Sequence, residues 1–231
     1  METPNTPDDI PAARRAILER LAADAKQGGR APGAVTLVAI SKKQPDDRID
    51  AMLAAGQRVF GENRVQEAQG RWSERRAAWP NLELRLVGPL QTNKAADACA
   101  LFDVIETLDR EKLAAALVKA MEKTGRAPRL LVQVNTGDEP QKAGVSAEDA
   151  PAFVERCRTE HGLEIEGLMC IPPADEPASL HFALLARLAK TCGVEKLSMG
   201  MSADYELAAR MGATSVRVGS ALFGERPAPQ A

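Results

Sequence analysis

The sequence predicts a (β/α)8 barrel of the α/β class with one extra helix at its N-terminus. Eight short apolar runs rich in strand formers alternate with stretches of helical apolar spacing. No GxGxxG turn follows the first run. Alternation at this rhythm implies parallel strands with crossover helices, and eight such units favour a closed barrel over an open sheet. An open doubly wound sheet is the alternative, and it would carry that glycine-rich phosphate turn. No linker or composition break divides the 231 residues, so one domain is expected over 1–231, frayed at 1–9 and 227–231.

The elements follow in order. Ile10, Ala13, Ile17, Leu18 and Leu21 recur at helical spacing, and Gly28-Gly29 stops a helix over 10–27. The run VTLVAISKK, Val35 to Lys43, is a strand to Ile40 that ends in a serine and two lysines. Pro45-Asp46-Asp47 then opens a helix over 45–55, with acids in its first turn. A strand over 58–60 enters Gly61-Glu62-Asn63, and a polar helix follows over 65–77. The third strand, 82–87, ends at Gly88-Pro89; a helix over 93–100 leads to a strand over 103–106.

The second half repeats the pattern. Leu113, Leu117 and Met121, four apart, mark an amphipathic helix over 109–123. A strand over 129–134 runs into the loop NTGDEPQKAG, followed by a helix over 146–160. The strand over 163–169 ends in Cys170-Ile171-Pro172-Pro173 and precedes a helix over 178–192. The remaining units are a strand over 196–199, a helix over 202–211 and a strand over 214–218. The tail GSALFGERPAPQA reads as proline-rich coil.

Composition removes several classes of function. Thirty basic residues against 32 acidic ones give a net charge of -2, and aromatics make up 3%. Neither an electrostatic footprint nor a stacking platform for nucleic acid is present. The apolar runs are too short to span a bilayer, and METPNTPDDIPAARR lacks the features of a secretory leader. The four cysteines, at 99, 157, 170 and 192, have no CxxC pairing and fit reduced thiols of a cytoplasmic protein. His161 and His181 have no ligand-spaced neighbours, so neither a zinc site nor a histidine triad is expected.

In such a barrel functional groups gather at the C-terminal strand ends, with phosphate sites built from the loops after strands seven and eight. Lys42 sits at the rim of the first strand. It is either a solvated lysine or an amine whose desolvation exposes a neutral nitrogen for imine formation. Ser198-Met199-Gly200-Met201-Ser202 and Gly219-Ser220-Ala221 suit the two phosphate loops, with Ser202 able to cap the helix that follows it. Ordinary turn chemistry is the other reading, and Asp204 and Glu206 already complement that helix dipole. Arg217, between Val216 and Val218, points into the barrel if the valines pack outward. It needs a partner there, either a carboxylate such as Glu62 or Glu106 or the ring nitrogen of a cofactor. A lysine, an arginine and a phosphate cradle on one rim match the requirements of pyridoxal 5'-phosphate (PLP).

The segments AISKKQP, VFGENRVQEA, LVGPLQTNK, VNTGDEPQKAGV, GLMCIPP, LSMGMSADYELA and GATSVRVGSALFGER carry a family likeness. Together they resemble the YggS/PROSC family of PLP homeostasis proteins, in register over about residues 35–226. The resemblance implies a fold similar to the barrel domain of alanine racemase and of ornithine decarboxylase. It implies Lys42 as the imine lysine and Arg217 facing the pyridine nitrogen. Ser202, Gly219 and Ser220 would contact the phosphate, with Asn63 and Met199 beside the ring. Arg64 replaces a tyrosine usual after GEN, and Gln44 stands where bacterial members often have a second lysine. Leu84-Arg85-Leu86 replaces an aromatic-histidine pair and reads as a packing variation. Lys142 matches the family pattern and reads equally as a surface lysine.

Three functions follow from these residues and the resemblance together, the homeostasis role in the first coming from the resemblance alone. The first is a cytoplasmic, monomeric PLP carrier that buffers or delivers the cofactor to PLP-requiring apo-enzymes without turnover, and this one is favoured. The second is an amino-acid racemase or decarboxylase with weak activity. The third is a barrel that binds another phosphorylated metabolite. Racemisation needs acid–base groups on both faces of the substrate carbanion, whereas the imine lysine serves one. In racemase relatives the second group is a tyrosine of an additional domain, for which this sequence leaves no room. Its sole tyrosine, Tyr205, lies in the helix after strand seven. No catalytic residue is assigned.

Overall fold

The structure, a computed structural model, describes residues 6–224. Nine strands are found among them: β1 (Thr36–Ile40), β2 (Val59–Glu62), β3 (Glu83–Leu86), β4 (Val104–Leu108), β5 (Arg129–Asn135), β6 (Val145–Ser146), β7 (Ile165–Cys170), β8 (Lys196–Ser198) and β9 (Ser215–Val218). Every pairing is parallel. The order β4-β3-β2-β1-β9-β8-β7-β5 is closed by a β4–β5 pairing, so eight strands form the expected (β/α)8 barrel. The seam joins the first and last strands, with Leu37 opposite Val216 and Val38 opposite Arg217.

Helices α1 (Ile10–Gln27), α2 (Asp46–Ala54), α3 (Val65–Ala78), α4 (Ala95–Leu101), α5 (Glu111–Thr124), α6 (Ala150–Thr159), α7 (Ala178–Cys192) and α8 (Tyr205–Arg210) cover the outside. Strand alternation sorts the side chains. Leu37, Ala39, Val216 and Val218 point outward into the large core shared with the helices. A separate apolar cluster of Val104, Leu131 and Met169 lies within the barrel. Trp72, Phe60 and Phe102 are fully buried, and the rings of Phe60 and Trp72 meet at 4.7 Å. At the end of α5, Gly125 takes the left-handed conformation that lets the chain turn back into β5. No described helix is long and apolar enough to cross a membrane.

Four local expectations are corrected. Pro7–Asp9 form a 3-10 turn, with the Thr6 hydroxyl and amide both donating to Asp9, so residues 6–9 are ordered into α1; residues 1–5 and 227–231 lie outside the described residues. The helix expected from residue 146 begins at Ala150. Val145 and Ser146 extend the sheet beside β5, and Ser146 and Asp149 bond each other in a turn. The helix expected from residue 202 begins at Tyr205, because Asp204 accepts the Met201 amide at 2.6 Å and closes a turn over 201–204. The tail opens with a further short helix, α9 (Ser220–Phe223).

Candidate cofactor site

A cavity of about 700 Å³ opens at the C-terminal mouth of the barrel. Lys42, Asn63, Ser202, Arg217, Gly219 and Ser220 all line it. They come from the ends of β1, β2, β8 and β9, which the seam brings side by side.

Lys42 is placed by a tight turn. The Gln44 amide donates to the Ser41 carbonyl at 3.1 Å, and Lys43 has φ 57. The left-handed residue swings Lys43 into solvent while Lys42 stays on the cavity wall. The turn is clamped from the helix side. Arg71 of α3 donates to the carbonyls of Ser41 at 2.8 Å and Gln44 at 3.0 Å. Arg71 is also 3.3 Å from the carboxylate of Glu62, which is fully buried. The same Glu62 oxygen accepts the Ser41 hydroxyl at 2.7 Å and the Trp72 indole N–H at 3.0 Å. Glu62 thus faces the helix layer and supports the lysine turn from behind.

Arg217 points inward and is 4% exposed. One guanidinium nitrogen donates to the Ser198 hydroxyl at 2.7 Å, the other to the Cys170 carbonyl at 2.7 Å. The Ser198 hydroxyl donates onward to Glu106 at 2.6 Å, and Glu106 accepts Arg85 at 3.1 Å. Of the two carboxylates considered as partners for Arg217, Glu62 faces away and Glu106 is reached through a serine. Arg85 corrects the reading of strand three as a packing variation: it is a buried cation inside the barrel. Burial works to lower its pKa, but Glu106 and Glu83 outweigh this and raise it. Burial likewise pushes Glu83 upward, and Arg85 and Arg129 reverse this to hold it below the usual carboxylate range.

The two loops after β8 and β9 are tied together. The Ser202 hydroxyl accepts the amides of Gly219 at 3.3 Å and Ala221 at 3.5 Å. It therefore does not cap α8, whose N-cap residue is Asp204. Met199 does not join the wall. Ser198 points inward to Arg217, so alternation turns Met199 out into the helix core, where it is fully buried. Gly200, at φ 93, then reverses the chain and brings Met201 to the cavity. Ile40, Val87, Ile171, Ala203 and Gly224, which sequence reasoning missed, complete the wall with Gln44, singled out there only as a departure from the family pattern. Ile40 and Val87 were open to discovery as residues at the ends of predicted strands. Gln44 is 4% exposed and accepts Arg48 through its side chain. Lys142 sits outside this wall, beside the Glu139 carboxylate and 3.4 Å from the Pro172 carbonyl.

Among the described residues of the wall there is no Asp, Glu, His, Cys or Tyr. The Tyr205 hydroxyl instead donates to Glu206 on the outer side of the β8 loop, and burial raises its pKa. No cluster of metal-ligating side chains occurs among the described residues.

Residues 21–227 match the family described as alanine racemase, N-terminal domain. The chain is 40% identical to the pyridoxal phosphate homeostasis protein of Pseudomonas aeruginosa, covering 91% of this chain and 93% of that one. The chain belongs to the pyridoxal phosphate homeostasis protein family. The Deinococcus radiodurans member is also 40% identical, over 93% of this chain and 99% of its own. Among solved structures, PipY of Synechococcus elongatus with PLP bound is 38% identical and aligns with a TM-score of 0.75, over 88% of this chain and all of that one. Alanine racemase of Acinetobacter baumannii, at 17% identity and a TM-score of 0.68, shares the fold; this chain covers 93% of itself and 62% of that enzyme.

Proposed function

We propose that this family member binds PLP as an imine of Lys42 and takes part in its intracellular homeostasis by buffering or delivering it. The observation that carries this reading is the convergence of Lys42, Arg217, Ser202, Gly219 and Ser220 on one cavity. The donor set fits the group: an amine for the aldehyde, a guanidinium for the ring nitrogen, and hydroxyls with a glycine backbone for the phosphate. The Lys42 amine condenses with the aldehyde carbon, forming a C=N bond and releasing water. Arg217, already anchored on Ser198 and Cys170, would hold the ring nitrogen and favour its unprotonated form. Asn63 stands beside the ring, and Met201, rather than Met199, is the methionine on the wall. The cofactor-bound relative supports the choice of PLP.

The wall also supports a carrier over an enzyme. PLP supplies an electron sink for amino-acid chemistry, but racemisation needs a second acid–base group opposite the lysine. The described wall offers none. A monomer in the cytoplasm that passes the cofactor to PLP-requiring apo-enzymes completes the reading, with no role for nucleic acid or membrane.

The test is the visible spectrum of the protein supplied with PLP, as wild type and as Lys42→Ala, before and after borohydride. A borohydride-sensitive imine band in the wild type alone supports the assignment. A wild type that takes up no PLP in excess overturns it. Racemisation or decarboxylation of amino acids at rates above free PLP would overturn the non-catalytic part and favour a weak enzyme.

A further inference from the structure

The barrel interior beneath the cavity is not filled with apolar layers alone. From the N-terminal mouth inward, Arg129 and Arg85 both bond Glu83, Arg85 bonds Glu106, and Ser198 links Glu106 to Arg217. Glu83 lies at the open mouth with Arg129 and, within 4.0 Å of that arginine, Glu166. These outer charges are screened by solvent. The inner triad is different: Arg85 is 9% exposed, Glu106 0% and Arg217 4%. Arg85 touches both Glu83 and Glu106, whereas Arg217 touches only the Ser198 hydroxyl and the Cys170 carbonyl, so the positive charge without a direct carboxylate partner among the described residues sits on the cavity side.

We propose that Arg85 is a positioning residue for the cofactor pocket: by engaging Glu106 it keeps the charge of Arg217 uncompensated and directed at the bound ring. This rests on the PLP reading above. Without Arg85 the Glu106 carboxylate has the Ser198 hydroxyl and, one bond beyond, Arg217 as its nearest cation. A buried carboxylate recruits the closest positive group, because its attraction is strong where water is excluded. Arg217 is then drawn down onto Glu106, and the charge presented to the cavity is cancelled.

The imine reports that charge. A guanidinium beside the conjugated ring disfavours the protonated imine, so cancelling it raises the pH at which the imine band converts. Among the described residues of the wall, Lys42 and Arg217 are the charged groups; Gln44, Asn63, Ser202 and Ser220 are neutral. The experiment compares PLP affinity and the band midpoint in wild type, Arg85→Met, Glu106→Gln and the double variant. Arg85→Met is expected to weaken PLP binding by about tenfold, the scale of coupling between linked sites, and to raise the midpoint. Glu106→Gln, which leaves Arg85 with Glu83 alone and removes the only buried carboxylate linked to Arg217 among the described residues, should lower the midpoint. The double variant restores the net charge and should return both readouts to wild type within about threefold, well inside that coupling.

A merely structural Arg85 would lower Tm and leave the midpoint where it was, and that result overturns the proposal. So does a folded double variant that stays as weak as Arg85→Met. If Arg85→Met does not fold, Glu106→Gln decides alone: a midpoint that is unchanged or raised refutes the charge argument. A wild type that forms no imine sinks the PLP reading, and this inference falls with it. A wild-type imine with unresponsive variants sinks only the role of Arg85.

Discussion

Replacing Glu62 by alanine isolates the support of the lysine turn. The variant strands two buried donors, the Ser41 hydroxyl and the Trp72 indole N–H, both on residues with no solvent exposure. Each stranded donor costs about 1–3 kcal/mol. The Ser41 hydroxyl lies 3.5 Å from the Gly61 carbonyl and can turn to it, which places its cost at the low end. Arg71 keeps the Ser41 and Gln44 carbonyls and has Asp46 at 3.6 Å, so its loss is about 0–1 kcal/mol. The expected total is about 2–5 kcal/mol, a large part of the roughly 5–15 kcal/mol that holds a domain folded. Glu62→Gln keeps an acceptor oxygen and should lose only about 1–2 kcal/mol. Urea unfolding followed by tryptophan fluorescence measures both, provided the slope m is unchanged. Since Ser41 is clamped by the same groups, Glu62→Ala should also slow imine formation at Lys42. A loss below about 1 kcal/mol for Glu62→Ala, or equal losses for the two variants, would refute the reasoning.

Three other perturbations test separate parts of the structure. In Gly200→Ala the new Cβ falls 2.5 Å from that of Ala208 at a left-handed φ of 93, so a loss of more than about 1 kcal/mol is expected by urea unfolding, with weaker PLP uptake as Met201 and Ser202 shift. The depressed pKa of Glu83 stabilises the fold above the ordinary glutamate value of about 4.3, and this contribution disappears as pH falls through its lower native value. Glu83→Gln should therefore flatten the dependence of unfolding free energy on pH below about pH 4.5, and an unchanged slope there counts against the pairing. Burial pushes the Cys99 thiol up to about 11 and those of Cys157 and Cys170 up to about 12. Ellman's reagent at pH 8 should find these three silent in the native protein and reactive in urea; rapid native labelling would contradict the burial.

The strands were legible because each is a short apolar run with a glycine, proline or polar stop, and parallel closure follows from their alternation with helices. The wall of the cavity was legible for a related reason: it is made of the residues at those stops. Met199 shows the limit. Its exclusion depends on Ser198 facing Arg217, and a one-residue change of phase moves a side chain from the cavity to the core. The Glu106–Ser198 bond joins residues 92 apart, and Arg71 reaches back 30 residues to Ser41. Neither contact leaves a periodicity or spacing in the chain. Arg85 could be flagged as a charge in an apolar strand, but its partner became visible only when β3, β4 and β8 closed around one interior. The two-residue β6 is too short to produce an alternating pattern at all.

The seam between β1 and β9 has a consequence for how the protein is made. Lys42 leaves the ribosome long before Arg217, Gly219 and Ser220, and the halves of the pocket meet only when the last strand inserts between the first and the eighth. Chains grow and begin to fold from the N-terminus, so the nascent protein carries Lys42 for most of its synthesis with no pocket around it. A ligand that needs both halves of the pocket can therefore be held only by a completed chain. A ligand held across the seam also acts as a clasp, since anything that binds only the closed barrel stabilises it by mass action. Scarcity of the ligand would then be felt first as loosening of the seam, where the first and last strands meet.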